Sequence, residues 1–144
     1  MNSTPAPTDQ RMRVYVVDDA KAIRERLVEM LAAVEGVTVV GETDTVAEAT
    51  ARILTDLPDA VVLDLKLADG NGLQVLSAVR ARAPEIDVIV LTNHGEDHYR
   101  RACLRAGARY FFDKTTEFHR IPQVLRELMR LRGAGHPKPD RQLP

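Results

Sequence analysis

The chain has 144 residues, 44% of them hydrophobic, a single cysteine and a net charge of −1. At about 100 to 200 residues per domain this is one core-forming unit, and Cys103 has no partner for an internal disulfide. Residues 1–10 are polar with two prolines and lack the apolar core of a secretion signal. No apolar run nears the roughly 18 residues that cross a bilayer, so a soluble, cytoplasmic protein with no membrane partner is expected.

Residues 13–17 are a β-branched run ending at Asp18-Asp19, after which Ile23, Leu27, Met30, Leu31 and Val34 recur at helical spacing before Gly36. This predicts a strand followed by a helix. Residues 37–40 read as a second strand, and Thr45-Val-Ala-Glu48 is a capping-box sequence that opens a second helix closing near Leu57-Pro58. A third strand spans 60–63 and a third helix 71–82, stopped before Pro84. A fourth strand, 87–91, leads into Thr92-Asn93-His94-Gly95, and a fourth helix over 96–106 ends at Gly107. Cys103, among Tyr99, Ala102 and Ala106, suits a small buried helix residue.

Residues 109–112 form the fifth strand, and Ile121, Val124, Leu125 and Leu128 mark the last helix. Proline clashes one turn back inside a helix, so Pro122 places the start near residue 121 and leaves 115–120 as a turn. The domain is expected over 11–132, with disordered segments at 1–10 and 133–144. Five apolar strands alternating with helices predict an α/β fold, a parallel sheet covered on both faces. The length fits the five-stranded flavodoxin-like order 2-1-3-4-5, and no Gly-x-Gly-x-x-Gly follows the first strand, so a nucleotide cofactor is not expected.

In such a sheet all carboxyl ends lie on one edge, which would gather Asp18 and Asp19 from strand one, Asp64 from strand three, Thr92 from strand four and Lys114 from strand five. Three neighbouring carboxylates repel one another unless a cation is present, and Mg2+ with oxygen ligands answers that need. Three carboxylates, one divalent ion and one lysine sum to zero charge. The set suits phosphoryl transfer, with Asp64 as nucleophile and Thr92 placed to hydrogen-bond a phosphoryl oxygen.

The same residues admit weaker readings. Asp18-Asp19 could simply cap a helix, Asp64 could be a turn residue, and Thr92 or Lys114 alone would be uninformative. His94 and His98 are four apart, yet Gly95 stands at the helix start and a third zinc ligand is missing; His119 and His136 read as loop residues. Charge is uneven: residues 1–99 carry nine basic and seventeen acidic side chains, residues 100–132 nine and three. Arg100, Arg101, Arg105, Arg120 and Arg126 form either a solvated face or a surface for an acidic protein patch.

The ordered set Val17-Asp18-Asp19, Val62-Leu63-Asp64, Asp69-Gly70-Asn71-Gly72, Leu91-Thr92, Gly107-Ala108 and Lys114 resembles the receiver domain of two-component response regulators over residues 11–132. The resemblance implies phosphorylation of Asp64 by a histidine kinase or histidine phosphotransfer protein. It implies Mg2+ held by Asp19, Asp64 and the Lys66 carbonyl, with Asp18 acting largely through water. It makes Thr92 and Phe111 the switch pair, and the fourth helix, fifth strand and fifth helix the surface that meets a downstream protein.

Three positions depart from the family pattern: Thr115 replaces the usual proline, so no cis bond is expected; Asn93 replaces a small residue; and Phe111 lacks a tyrosine's hydroxyl. The expected function is a stand-alone phosphoacceptor switch and not a turnover enzyme. A phosphorelay shuttle and a receiver fragment of a DNA-binding regulator use the same residues. An aspartyl-phosphate phosphatase would need a second carboxylate where Lys66 stands, and with no recognition helix direct nucleic-acid binding is not expected.

Overall fold

The computed structural model describes residues 11–93 and 96–133. Of the segments expected to be disordered, 1–10 and 133–144, all but Gly133 lie outside the described residues, His136 included, as do His94 and Gly95; Gly133 is helical. Elements follow in the order β1 (Met12–Val17), α1 (Lys21–Ala32), β2 (Val37–Thr43), α2 (Val46–Asp56), β3 (Ala60–Leu63), β4 (Lys66–Leu67), β5 (Gly70–Asn71) and α3 (Gly72–Arg82). They continue with β6 (Asp87–Thr92), α4 (Asp97–Arg105), β7 (Tyr110–Asp113), α5 (Lys114–Glu117), a 3-10 turn (Phe118–Arg120) and α6 (Ile121–Gly133).

The main sheet runs β2-β1-β3-β6-β7 with every pair parallel, which is the order 2-1-3-4-5 once the small β4–β5 hairpin is set aside. Alternate residues of each strand face opposite layers. Tyr15, Val17, Val61, Leu63 and Val90 pack with Ile53 of α2, Leu76 of α3 and Cys103 of α4. Val14, Val16, Val62 and Ile89 pack with Leu27 and Leu31 of α1 and Leu125 and Leu128 of α6.

Several boundaries differ from the sequence reading for local reasons. β2 continues to Thr43 because the β1–β2 register shifts between Val14 and Tyr15, a bulge that sets Gly41 against the Tyr15 ring. A Cβ at Gly41 would lie 2.4 Å from Tyr15 Cε2, so only glycine admits the ring. The capping box at Thr45 is half formed: Thr45 Oγ1 accepts from the Glu48 N–H at 3.1 Å, while the Glu48 carboxylate accepts from the Thr43 hydroxyl at 2.9 Å. Asp69, from the hairpin turn, accepts from the Val46 and Ala47 N–H groups and completes the cap.

Residues 115–120, expected as a turn, are helical. Asp113 accepts from Thr115 N at 2.7 Å and Thr116 N at 3.3 Å, and Glu117 accepts from Asp113 N at 2.8 Å, so this reciprocal cap nucleates a short turn of helix. α6 then starts at Ile121, with Pro122 in its first turn, and runs one residue beyond the expected end, to Gly133. At the amino ends of the strands, Arg132 bridges Asp59 at 3.3 Å and Asp87 at 3.0 Å, fastening α6 to the sheet.

Tyr15 is fully buried, and burial raises its phenol pKa above the ordinary value. A folded-state pKa above the unfolded one means stability is intact below about pH 10 and is lost as pH rises through the folded value. Tyr15→Phe is therefore expected to flatten the alkaline decline of the urea midpoint, leaving the neutral value little changed. An identical alkaline slope in both proteins would refute this.

Candidate functional site

The carboxyl edge of the sheet gathers the predicted residues. β1 ends into Asp18 and Asp19, β3 into Asp64, β6 ends on Thr92, and Lys114 follows β7. One carboxylate oxygen from each of Asp18, Asp19 and Asp64 lies within 4.8 Å of the others. Lys114 Nζ stands between two of them, 2.7 Å from Asp18 Oδ2 and 2.8 Å from Asp64 Oδ2. Asp18, Asp64, Thr92 and Lys114 are all buried, and Asp19 is half-buried.

Buried charge is costly unless it is paired, and the titrations follow from that. Burial raises the Asp18 pKa, against the opposing pull of the Lys114 hydrogen bond and the Ala20 N–H; the nearby Asp64 charge raises it further. Burial works to lower the Lys114 pKa, but the hydrogen bonds its ammonium donates to Asp18 and Asp64 outweigh it and the net direction is upward. The donor set is hard oxygen at the spacing of a shared cation, so the residues fit Mg2+.

The backbone beneath these side chains is held closely. Asp64 N–H donates to the Val17 carbonyl at 2.9 Å, and Asp64 Oδ1 lies 3.4 Å from Lys66 N, a long contact. β4 and β5 pair Lys66 with Asn71, which folds the segment after Asp64 back on itself. Gly72 N–H donates to the Leu65 carbonyl at 2.7 Å, and a Cβ on Gly72 would stand 2.2 Å from the Asp64 carbonyl oxygen. Asn71 and Gln74 form a complete capping box that starts α3 here. The sequence reading noted the Asp69–Gly72 loop but not this contact, because it depends on how near the helix start approaches the β3 backbone.

Asp18 is also gripped from α1. Arg24 Nη1 donates to the Asp18 carbonyl at 2.7 Å and its Nε to Glu42 Oε1 at 2.9 Å. Neither residue stood out in the sequence, since an arginine one turn into a helix is ordinary.

Phe111 is buried on the α4 side of β7, and the Arg100 guanidinium lies 4.9 Å above its ring and 3.4 Å from its carbonyl. Arg120 lies 5.0 Å over Phe112 on the other face. Arg100 and Arg120, two of the five arginines singled out as a partner surface, therefore pack on aromatic rings, a geometry worth about 0.5 to 2 kcal/mol depending on exposure. Arg101, Arg105 and Arg126 are exposed. The Lys114–Thr115 bond is trans, and the Thr115 hydroxyl lies 3.4 Å from Asn93 Oδ1. The His98 and Tyr99 rings lie 4.3 Å apart, tilted by 35° to each other, and His119 is exposed.

Comparison with known proteins agrees with this geometry. The pattern that defines the response regulator receiver domain matches residues 14–126. The chain is 33% identical over 124 residues to the DNA-binding transcriptional activator DevR/DosR of Mycobacterium tuberculosis, covering 86% of this chain and 55% of that protein. It is 31% identical over 115 residues to the response regulator GacA of Pseudomonas viridiflava, covering 80% and 54%. It thus spans about half the length of these curated relatives.

Among solved structures, the signal receiver domain of NarL from M. tuberculosis superposes with a TM-score of 0.74 at 32% identity, over 83% of this chain and 97% of that one. The response regulator domain of CheB from Thermotoga maritima gives 0.75 at 26%, over 88% and 99%. Receiver domains are phosphoacceptor switches that bind Mg2+ in an acidic pocket and interact with histidine kinases and downstream partners. Among the described residues no helix is long and apolar enough to cross a membrane. A match that starts inside β1 and ends within α6 reaches all five strands of the parallel sheet, and the chain belongs to the response regulator receiver domain family.

Proposed function

We propose that Asp64 accepts a phosphoryl group from a phosphohistidine donor and that the α4, β7 and α6 surface reports the change to a protein partner. The observation that carries this reading is the buried Asp64 carboxylate with Lys114 Nζ at 2.8 Å and two further carboxylates beside it. A carboxylate oxygen of Asp64 forms the new O–P bond as the N–P bond of the donor breaks; the imidazole leaves with the electron pair and takes up a proton. Asp18, Asp19, Asp64 and the Lys66 carbonyl would hold Mg2+, which supplies charge neutralisation at the phosphoryl oxygens.

Lys114 neutralises the same oxygens from the β7 side. The Thr92 hydroxyl bonds a phosphoryl oxygen once the acyl phosphate exists, and the space it leaves is taken up by Phe111, whose ring acts by packing alone. Movement of Phe111 alters the seat of Arg100, which links the acidic edge to the basic surface through one side chain. This exposed arginine-rich face suits an acidic protein patch.

Intact mass after incubation with Mg2+ and a small-molecule phosphodonor tests the reading. One phosphoryl adduct is expected on the wild type and none on Asp64→Asn, and an adduct that survives the substitution would sink the assignment. A second reading, the receiver portion of a longer DNA-binding regulator, is favoured by the chain's spanning only about half of its curated relatives. The mass of the protein isolated from its source separates a stand-alone switch from that longer form.

A further inference from the structure

We infer that Arg24 is a positioning residue for the divalent-cation site, acting through the backbone of Asp18 without touching the ion; this rests on the Mg2+ reading above. The β1–α1 junction that presents Asp18 and Asp19 has little support of its own. Its helix N-cap is Ala20, which offers no side-chain cap, whereas Asn71 and Asp113 cap the helices that follow β5 and β7. The backbone of the junction is held by an Asp18 N–H bond to the Thr43 carbonyl at 3.0 Å, an Arg24 N–H bond to the Ala20 carbonyl at 2.9 Å and the Arg24 fork, while the Asp18 carboxylate is held by Ala20 N–H at 2.9 Å and Lys114 Nζ at 2.7 Å.

That fork joins three elements. Nη1 holds the Asp18 carbonyl at 2.7 Å while Nε is held by Glu42 of β2 at 2.9 Å, and the Arg24 side chain is 15% exposed. The Asp18 carbonyl belongs to the same rigid peptide plane as the Asp19 N–H, so fixing its oxygen fixes the plane from which the Asp19 side chain departs. The guanidinium thus fixes the peptide plane between the two aspartates, and with it the starting direction of the Asp19 side chain, while Ala20 N–H and Lys114 Nζ hold the Asp18 carboxylate itself. A two-pronged grip of this kind requires arginine's planar donors, and the point charge of lysine does not reproduce it.

The sign of the effect separates positioning from charge. A cation near a cation site repels the incoming ion, so if Arg24 acted by charge alone its removal would tighten Mg2+ binding. Positioning requires the reverse. Loss of outer residues that orient metal ligands typically costs about 10- to 100-fold in affinity.

The test titrates Mg2+ alone into the full chain by calorimetry, for wild type, Arg24→Ala, Arg24→Lys and Asp19→Asn, with metal-free thermal unfolding measured in parallel. Arg24→Ala is expected to raise the Mg2+ dissociation constant by about tenfold or more, and Arg24→Lys, which keeps the charge and gives up the fork, to raise it in the same direction. Unchanged or tighter binding in Arg24→Ala overturns the inference, as does lower metal-free stability with no change in affinity. Should Arg24→Ala not fold, Arg24→Lys decides alone: wild-type affinity overturns, weaker binding supports. Absence of saturable binding to the wild type, or binding indifferent to Asp19→Asn, overturns the cation reading itself. Normal behaviour of those two proteins with an unaffected Arg24→Ala overturns only the role of Arg24.

Discussion

Lys114→Ala is expected to cost the metal-free protein about 3 kcal/mol or more at neutral pH, because removing one partner of a buried ion pair strands the charge that remains. Here two carboxylates are stranded at once, since the ammonium contacts Asp18 and Asp64 within 2.8 Å and all three side chains are nearly inaccessible. The pH dependence follows from the direction of the Asp18 shift. Its folded-state pKa is already raised, chiefly by burial, so its contribution to stability falls as pH rises from the unfolded carboxylate value through the folded one. With Lys114 gone the opposing hydrogen bond is lost, and the deficit should be greatest near neutrality and shrink toward about pH 4, where unfolded carboxylates protonate. Urea unfolding at both pH values, with and without Mg2+, measures this. A neutral-pH loss below about 1 kcal/mol, the usual size for exposed pairs, would show that the two carboxylates do not depend on the lysine.

Gly72→Ala should be nearly as damaging for a different reason. The new methyl carbon would fall 2.2 Å from the Asp64 carbonyl oxygen and 3.0 Å from the Leu65 Cα, so backbone and not a flexible side chain must yield. Overpacking of this sort costs about 1 to 3 kcal/mol and sometimes more. The start of α3 and the end of β3 must separate, which also strains the 2.7 Å bond from Gly72 N–H to the Leu65 carbonyl. The expected result is a lower unfolding midpoint together with slower formation of the phosphoryl adduct. Wild-type stability and adduct rate in Gly72→Ala would mean that the loop relaxes freely and does not set the position of Asp64.

The sequence was most legible where a rule depends on a short stretch of chain. Short apolar runs located the five main strands, and their alternation with helices implied the sheet order observed. Because parallel strands end on one edge, Asp18, Asp19, Asp64, Thr92 and Lys114 could be brought together before any distance was known. What the sequence concealed was tertiary. Thr45-Val-Ala-Glu48 has the form of a reciprocal cap, yet Glu48 is taken by Thr43 of the neighbouring strand, Thr45 N–H goes to the Thr43 hydroxyl, and Asp69 accepts from the Val46 N–H 23 residues away. Residues 115–120 lack an apolar period, and their helicity comes from the Asp113 and Glu117 exchange. The β4–β5 hairpin is too short for any periodicity, and the Arg24–Glu42 tie spans 18 residues.

β7 is one of the two edge strands of the sheet and pairs with β6 alone, yet it carries Phe111 and leads directly into Lys114. Outer strands open more readily than central ones in native-state fluctuations. The Lys114 side chain reaches past β6 to the ends of β3 and β1, so its two ion pairs act as a strap across the sheet that no backbone ladder provides. Any occupant of the acidic edge that draws Asp18 and Asp64 away from the ammonium loosens that strap unless it offers a replacement. Amide exchange in β7 is therefore expected to change with what fills the pocket, so that this edge strand's breathing would register chemistry at the centre of the molecule.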